Sequence, residues 1–467
     1  MRLIMRKILL LLLALVLFCA APIRVTAQET GYAHKYSPVN GYIVPTDPLV
    51  LEKLDAWQDL KFGVLFHWGI YSVMGIMESW NLCSEDEEWE YKYRQETGLS
   101  YDEFKQWYWG LSRFFNPRQF DPDTWADVMK DAGMKYMVFT TKHHDGFCMF
   151  DTQYTDYKIT AGPFADHPRS NVAKEVFDAF RAEDFWVGAY FSKPDWHCQW
   201  FWNPVLATAR RGINYKKENH PDWWQNYVDF TMGQLTELTR DYGPMDLIWL
   251  DGGWISGKEV GLDEVLVGAR ERNPGMICVD RVSRDDNENY QTPECTVPPE
   301  QRNIPWETCD PLMDFSWRFN PNYKSVRRVV AELVEVVAKG GNLILGIAPT
   351  PYGTIDDLAQ SRLHGIGEWL RKYGEAIYAT RTTPVYHDGN LWFTASKDGR
   401  TLYAIYALAD GESLPATVEW TGNVPAGKVQ LVGDGRRLSC KVRDGKVSVT
   451  LPKGMMQESF ALKFEMK

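Results

Sequence analysis

Short, unbroken apolar runs alternate with longer amphipathic stretches through most of this chain. The runs FGVLFHWG (62–69), YMVFTT (136–141), WVGAYFS (186–192), DLIWLDG (246–252), GMICVD (275–280) and NLILGIAP (342–349) are continuous. Strands buried on both faces read this way. Between them, DPDTWADVMKDAG (121–133) opens on Asp-Pro and closes on Gly, the start and stop signals of a helix. The stretches at 171–184, 221–243 and 325–341 repeat that pattern. Strands alternating with helices predict parallel βαβ units, hence an α/β fold.

An open doubly wound sheet and a closed (β/α)8-type, TIM-like barrel both fit such units. No G-x-G-x-x-G follows the first strand, which disfavours dinucleotide binding. His67, His143, Tyr190, Asp251 and Arg281 stand at the C-terminal ends of predicted strands. A barrel brings those ends to one mouth, so the barrel is the expected architecture. After residue 384 the runs become short and alternating, with Gly, Asp and Lys between them. They predict a C-terminal antiparallel β-sandwich of about 80 residues. The expected organisation is a signal peptide at 1–27, a barrel at 28–384 and a sandwich at 385–467.

The first 27 residues carry a basic start, an apolar run of about 14 residues and VTA before Gln28. They predict cleavage at Ala27 and export, to the periplasm or the medium. The run is shorter than the roughly 20 residues a membrane span requires. Cys19 suggests a lipoprotein, but Phe18 before it fits such a site poorly. Cleavage removes four cations and no acids, which takes the net charge from −11 to −15. Nucleic-acid binders show clustered Lys and Arg, and this chain does not. Seven cysteines then remain and no C-x-x-C occurs, which argues against structural zinc. Cys295 and Cys309 are the candidate pair.

Candidate chemistry starts from 20 tryptophans, many beside polar residues. Such a set predicts a cleft whose rings stack on sugars while polar neighbours bond hydroxyls. Asp251, in LIWLDGG, follows four apolar residues and precedes two glycines. At a strand exit it suits a base, a nucleophile or a metal ligand. The Pro-rich stretch 289–310 reads as a loop over the mouth and offers Glu294, Glu300 and Glu307. Apolar neighbours raise a carboxyl pKa, as a general acid needs. His143 and His144 are compatible with a metal, a structural role or sugar binding. Adjacent residues on a strand point to opposite faces, so one of the two is expected in the pocket unless the strand has ended. Neutral imidazole both donates and accepts, which suits hydroxyls.

Taken in order, KFGVLFHWGIYSV, KHHDGF, GAYFSKPDWH, DLIWLDGG, VDR, GGNLILGIAPTPYGTI and GEAIYATR resemble the α-L-fucosidase family, glycoside hydrolase family twenty-nine, from about Leu60 to Arg381. The resemblance implies an exo-acting, retaining, metal-independent hydrolase with no cofactor and a fucosylated glycan as substrate. It implies Asp251 as nucleophile and a Glu as acid/base, with Glu294 in TPE preferred over Glu307 in WET. His67, His143, His144, Tyr190 and Arg281 would hold the sugar hydroxyls and the nucleophile. Trp249 or Trp317 would help wall the methyl group. The family's Glu-Trp has two matches, Glu78 with Trp80 and Glu88 with Trp89. WRFN, Trp317 to Asn320, replaces the family's W-G-Y-N, so Arg318 is expected to change the rim. The competing readings are a sugar-binding protein without catalysis, a glycosidase for L-galactose or galactose, and a metal-dependent barrel enzyme using the two histidines.

Overall fold

Each of the six apolar runs forms a strand of one parallel sheet, and a seventh strand joins them. The computed structural model describes residues 41–466 except 84–87, 209, 282, 284 and 314–316, and except the side chains of 88–92. The described residues lie in one unit, Ser37–Lys467. The expected signal peptide, with Cys19 and Ala27, lies outside the described residues.

The strands are β1 Phe62–Phe66, β2 Tyr136–Lys142, β3 Trp186–Ser192, β4 Leu247–Asp251, β5 Ile277–Asp280, β6 Glu307–Pro311 and β7 Asn342–Ile347. Their order is β5-β4-β3-β2-β1-β7-β6. Segment 287–295 fills the gap between β5 and β6. Asn289 N donates to Cys278 O at 2.9 Å and Asp280 N to Asn287 O at 3.2 Å on one side. Glu307 N donates to Gln291 O at 2.8 Å and Cys309 N to Pro293 O at 3.2 Å on the other. The expectation of a free loop over 289–310 is therefore corrected at both ends. Prolines and polar residues hid a stretch that stitches the barrel wall, and ETCDP is too polar to look like a strand.

The four predicted helices form at Pro122–Asp131, Val172–Ala182, Pro221–Asp241 and Val326–Ala338. Five more occur among the described residues, at Pro48–Leu60, Glu88–Thr97, Tyr101–Trp109, Leu262–Arg272 and Asp357–Tyr373. Numbered in chain order they are α1 to α9, with Pro48–Leu60 as α1. Side-chain parity sorts the strand residues into two packing layers. Phe62, Val64, Phe66, Met137, Phe139, Ile248 and Leu250 pack outward with the helices. Leu65, Tyr136, Val138, Tyr190, Leu247, Trp249, Ile277, Val279 and Cys309 form an inner cluster, floored by Val50, Leu54 and Trp57 of α1. Alternation along β4 then carries Asp251 inward, because Leu247 and Trp249 point inward.

The C-terminal strands are β8 Thr380–Arg381, β9 His387–Asp388, β10 Leu391–Ser396, β11 Thr401–Tyr406, β12 Thr417–Thr421, β13 Val429–Leu431, β14 Arg437–Arg443, β15 Lys446–Thr450 and β16 Phe460–Glu465. They are antiparallel throughout, in the order β12-β15-β14-β13-β16-β11-β10-β8, with β9 on β10. The ribbon folds over itself, since Trp420 of β12 packs on Phe464 of β16 at 5.8 Å and on Phe393 of β10 at 6.1 Å. That gives the sandwich. Its face docks on α9 through Trp369 Nε1, which donates to Ser459 O at 2.7 Å.

Candidate active site

Asp251 ends β4 with its side chain 18% exposed, inside the barrel mouth. Its Oδ2 accepts from the Tyr190 hydroxyl at 2.7 Å. Its Oδ1 accepts from Gly252 N at 2.8 Å and from Arg281 Nη1 at 3.2 Å. Burial alone would raise this carboxyl. The Arg281 guanidinium, His144 and the Tyr190 hydrogen bond outweigh that and hold it well below the usual carboxylate range. Gly252 has φ +83°, and a Cβ there would meet Pro194 Cδ at 2.1 Å. The turn that presents Asp251 thus admits only glycine.

Arg281 follows β5 and is buried. Its Nη2 donates to Glu294 Oε2 at 2.6 Å, and its Nε to Thr292 Oγ1 at 3.2 Å. One guanidinium therefore grips both Asp251 and Glu294. Glu294 Oε1 accepts from Trp317 Nε1 at 3.0 Å. The Trp317 ring covers His67, with centroids 4.6 Å apart. The segment that closes the barrel is thus the one that delivers Glu294 to the mouth.

Both histidines of the KHHDGF stretch reach this pocket. The strict alternation expected for them does not apply, because β2 ends at Lys142 and its register shifts after Thr140. His143 Nδ1 lies 2.6 Å from Ser79 Oγ, which also accepts from Asp145 N at 2.8 Å. The Ser79 hydroxyl can donate to Nδ1 or accept from it, so this contact fixes the orientation of the His143 ring. Ser79 holds this place at φ +43°, a strained backbone for a serine. His144 Nε2 lies 3.7 Å from Asp251 Oδ2. The rings of Trp80, Trp196 and Trp254 surround His144 at 5.1–5.3 Å.

Neither ring nitrogen of His144 and not the Nδ1 of His67 has a hydrogen-bond partner among the described residues, although all are buried. Buried polar atoms seek partners, and these are placed to bond the hydroxyls of a ligand. Burial, reinforced by His143, pushes His67 down to about 3; burial also pushes His144 down to about 4. Both rings are neutral near pH 7 and can donate and accept. Ligand atoms of His143, His144 and Asp251 lie within 4.8 Å of one another, close enough in principle for an ion. Arg281 and Tyr190 already occupy the oxygens of Asp251, and a guanidinium beside a cation is unfavourable.

Glu78 is buried next to Ser79, and Trp80 is half-buried beside His144. The side chains of the alternative match, Glu88 and Trp89, lie outside the described residues. Glu300 sits on the surface, where it accepts from the Tyr386 hydroxyl at 2.7 Å. Glu307 is in β6 and fully buried, not on a loop. Arg318 donates to Gly75 O at 3.1 Å and so ties two loops of the rim. Cys295 and Cys309, the expected pair, form no disulfide with each other. The sequence reading missed Ser79, Thr292 and Arg211. Arg211 lies over Trp80 and Trp254 at 5.5 and 5.4 Å, and the polar-flanked tryptophans were the one signal for it.

Residues 32–375 match the family model described as Alpha-L-fucosidase. The chain is 30% identical over 386 residues to the tissue alpha-L-fucosidase of Homo sapiens, covering 76% of this chain and 75% of that protein. It is 27% identical to the plasma alpha-L-fucosidase of Rattus norvegicus, covering 91% and 92%. Among solved structures, the Thermotoga maritima alpha-fucosidase in complex with fucose superposes with a TM-score of 0.70. That pair is 28% identical and covers 91% of this chain and 97% of the other.

Proposed function

This chain belongs to the α-L-fucosidase family and is a glycoside hydrolase that releases fucose; on that premise we propose that it works with retention, through a covalent glycosyl–enzyme on Asp251. The observation that carries this is the single guanidinium of Arg281, held at 3.2 Å to Asp251 and 2.6 Å to Glu294. Retaining hydrolases set their two carboxyls about 5–5.5 Å apart across one sugar.

Asp251 Oδ attacks the anomeric carbon as the glycosidic bond breaks. Glu294 gives its proton to the leaving oxygen, then takes one from the water that cleaves the ester. To carry that proton, Glu294 must exchange the Arg281 contact for the glycosidic oxygen. His67, His143 and His144 bond the sugar hydroxyls. Trp249 and Trp317 wall the methyl group, and Glu78 and Trp80 complete the rim. Substrates are fucosylated oligosaccharides or glycoconjugates cleaved from the end. The catalytic barrel spans 28–384 and a C-terminal module 385–467, with export directed by residues 1–27.

The test is hydrolysis of an aryl α-L-fucoside followed by proton NMR. Fucose released first as the α anomer supports the reading; the β anomer excludes the covalent route. Absence of turnover with any fucoside removes the reading entirely.

A further inference from the structure

A carboxylic acid in the barrel core needs an explanation, because the inner cluster around it is otherwise mostly apolar and aromatic. Glu307 starts β6 with no exposed surface. Its Oε2 accepts from the Tyr136 hydroxyl at 2.6 Å and its Oε1 from Trp249 Nε1 at 3.2 Å. Burying a carboxyl costs free energy that an aliphatic side chain of similar size would not incur. Such a group, with both oxygens engaged, is suited to fixing orientation.

Trp249 is the ring whose orientation matters. The guanidinium carbon of Arg281 lies 4.6 Å from its centroid, and Tyr190 stacks on it at 5.2 Å. Arg281 and Tyr190 are two of the groups that hold Asp251. An indole pinned at its N–H from below cannot rotate, so it presents a constant face to both.

We infer that Glu307 is a positioning residue, which fixes Trp249 beneath Arg281 and so aligns the guanidinium with Asp251 and Glu294. Glu307 touches neither carboxylate and is not the acid/base. The inference rests on the fucosidase reading.

Protonation of Glu307 weakens this pin. Burial pushes the carboxyl up to about 7, against the hydrogen bonds from Tyr136 and Trp249 and the charge of Arg281. Of the other titratable groups around it, Tyr290 in the closing segment and Cys309 on β6 are themselves raised by burial and stay neutral. The charged form therefore prevails above pH 7 and makes the stronger bond to Trp249.

The experiment compares wild type, Glu307→Gln, Trp249→Phe and the double variant on one aryl α-L-fucoside across pH. Glu307→Gln is expected to lower kcat about tenfold with KM little changed, and more so above pH 7 than below. The double variant is expected to lose no more than Trp249→Phe alone, because Glu307 acts through that ring. Azide is expected to leave the Glu307→Gln rate unchanged. Additive losses, a pH-independent deficit or rescue by azide overturns the assignment, the last because azide replaces a missing acid/base. If Glu307→Gln does not fold, Tyr136→Phe serves instead. It removes one donor and should move the neutral inflection to higher pH, and an unmoved inflection overturns the assignment. Wild-type turnover tests the fucosidase reading separately, so the two failures are distinguishable.

Discussion

The hydroxyl of Tyr190 donates to Asp251 Oδ2 at 2.7 Å. A hydrogen bond to the charged form of a carboxyl lowers its pKa. Charge-assisted bonds of this kind are worth about 1.5–3 kcal/mol, or roughly one to two pH units. Tyr190→Phe should therefore raise the Asp251 pKa and move the acid limb of kcat/KM to higher pH. The same depressed carboxyl stabilises the fold above its unfolded value near 3.9, and that contribution fades as pH falls. An acid limb that stays in place on substitution would show that Tyr190 does not set the charge of Asp251.

The proposed mechanism gives Asp251 and Glu294 different duties, and two variants separate them. Asp251→Asn should lower turnover by at least about a thousandfold yet leave fucose binding measurable by calorimetry. Glu294→Ala should be slow on poor leaving groups, less impaired on activated aryl fucosides, and accelerated by azide. If azide rescues Glu307→Ala and not Glu294→Ala, the two glutamates exchange roles.

Much of this architecture was legible in the sequence because burial dictates it. The continuous runs 62–69, 136–141 and 342–349 mark buried parallel strands. The strand exits at His67, Tyr190, Asp251 and Arg281 meet in one pocket, since a barrel gathers them at one end. Three features were not legible. ETCDP is polar, and only its tertiary partners Tyr136 and Trp249 make Glu307 tolerable inside. His143 and His144 both enter the pocket because β2 stops early, and a register shift leaves no periodic trace. Ser79 acts through a positive φ that no propensity anticipates. Local pattern reports burial, whereas the pairing of distant polar groups is fixed only in three dimensions.

His67, His143 and His144 make the protein acid-sensitive. Burial lowers all three in the folded state, to about 3 for His67 and about 4 for His144. In the unfolded chain they titrate near 6.5. Between those values the unfolded state binds more protons at these rings, so their contribution to stability is full above about 6.5 and declines as pH falls, offset in part by the raised Glu307. The melting temperature should drop steadily from pH 6.5 toward 4, and His144→Gln should flatten that slope. A slope unchanged in His144→Gln would assign the acid sensitivity to other groups.

A metal is not required by the geometry at His143, His144 and Asp251. Arg281 supplies the positive charge next to Asp251 that an ion would otherwise provide. Dialysis against a chelator should leave kcat and KM unchanged, and added zinc should inhibit by competing for the same atoms. Loss of turnover on chelation, restored by one metal, would favour a metallohydrolase.

Lys142, the last residue of β2, precedes the two histidines and is wholly buried against the loop after β3. Its ammonium lies 3.0 Å from Asp195 Oδ2, which is itself buried, and donates to Gln234 Oε1 at 2.9 Å. The other oxygen, Oδ1, accepts from His197 N at 3.0 Å and Cys198 N at 2.8 Å, so this carboxylate organises the loop. Removing the cation leaves that charge buried and uncompensated, which costs about 3–5 kcal/mol. Lys142→Met should lower the urea midpoint accordingly. Lys142→Met with Asp195→Asn should recover part of the loss, because no lone charge then remains. If the single and double variants unfold at the same urea concentration, the pair is not coupled, and the placement of His143 and His144 rests on Ser79 and the surrounding tryptophans instead.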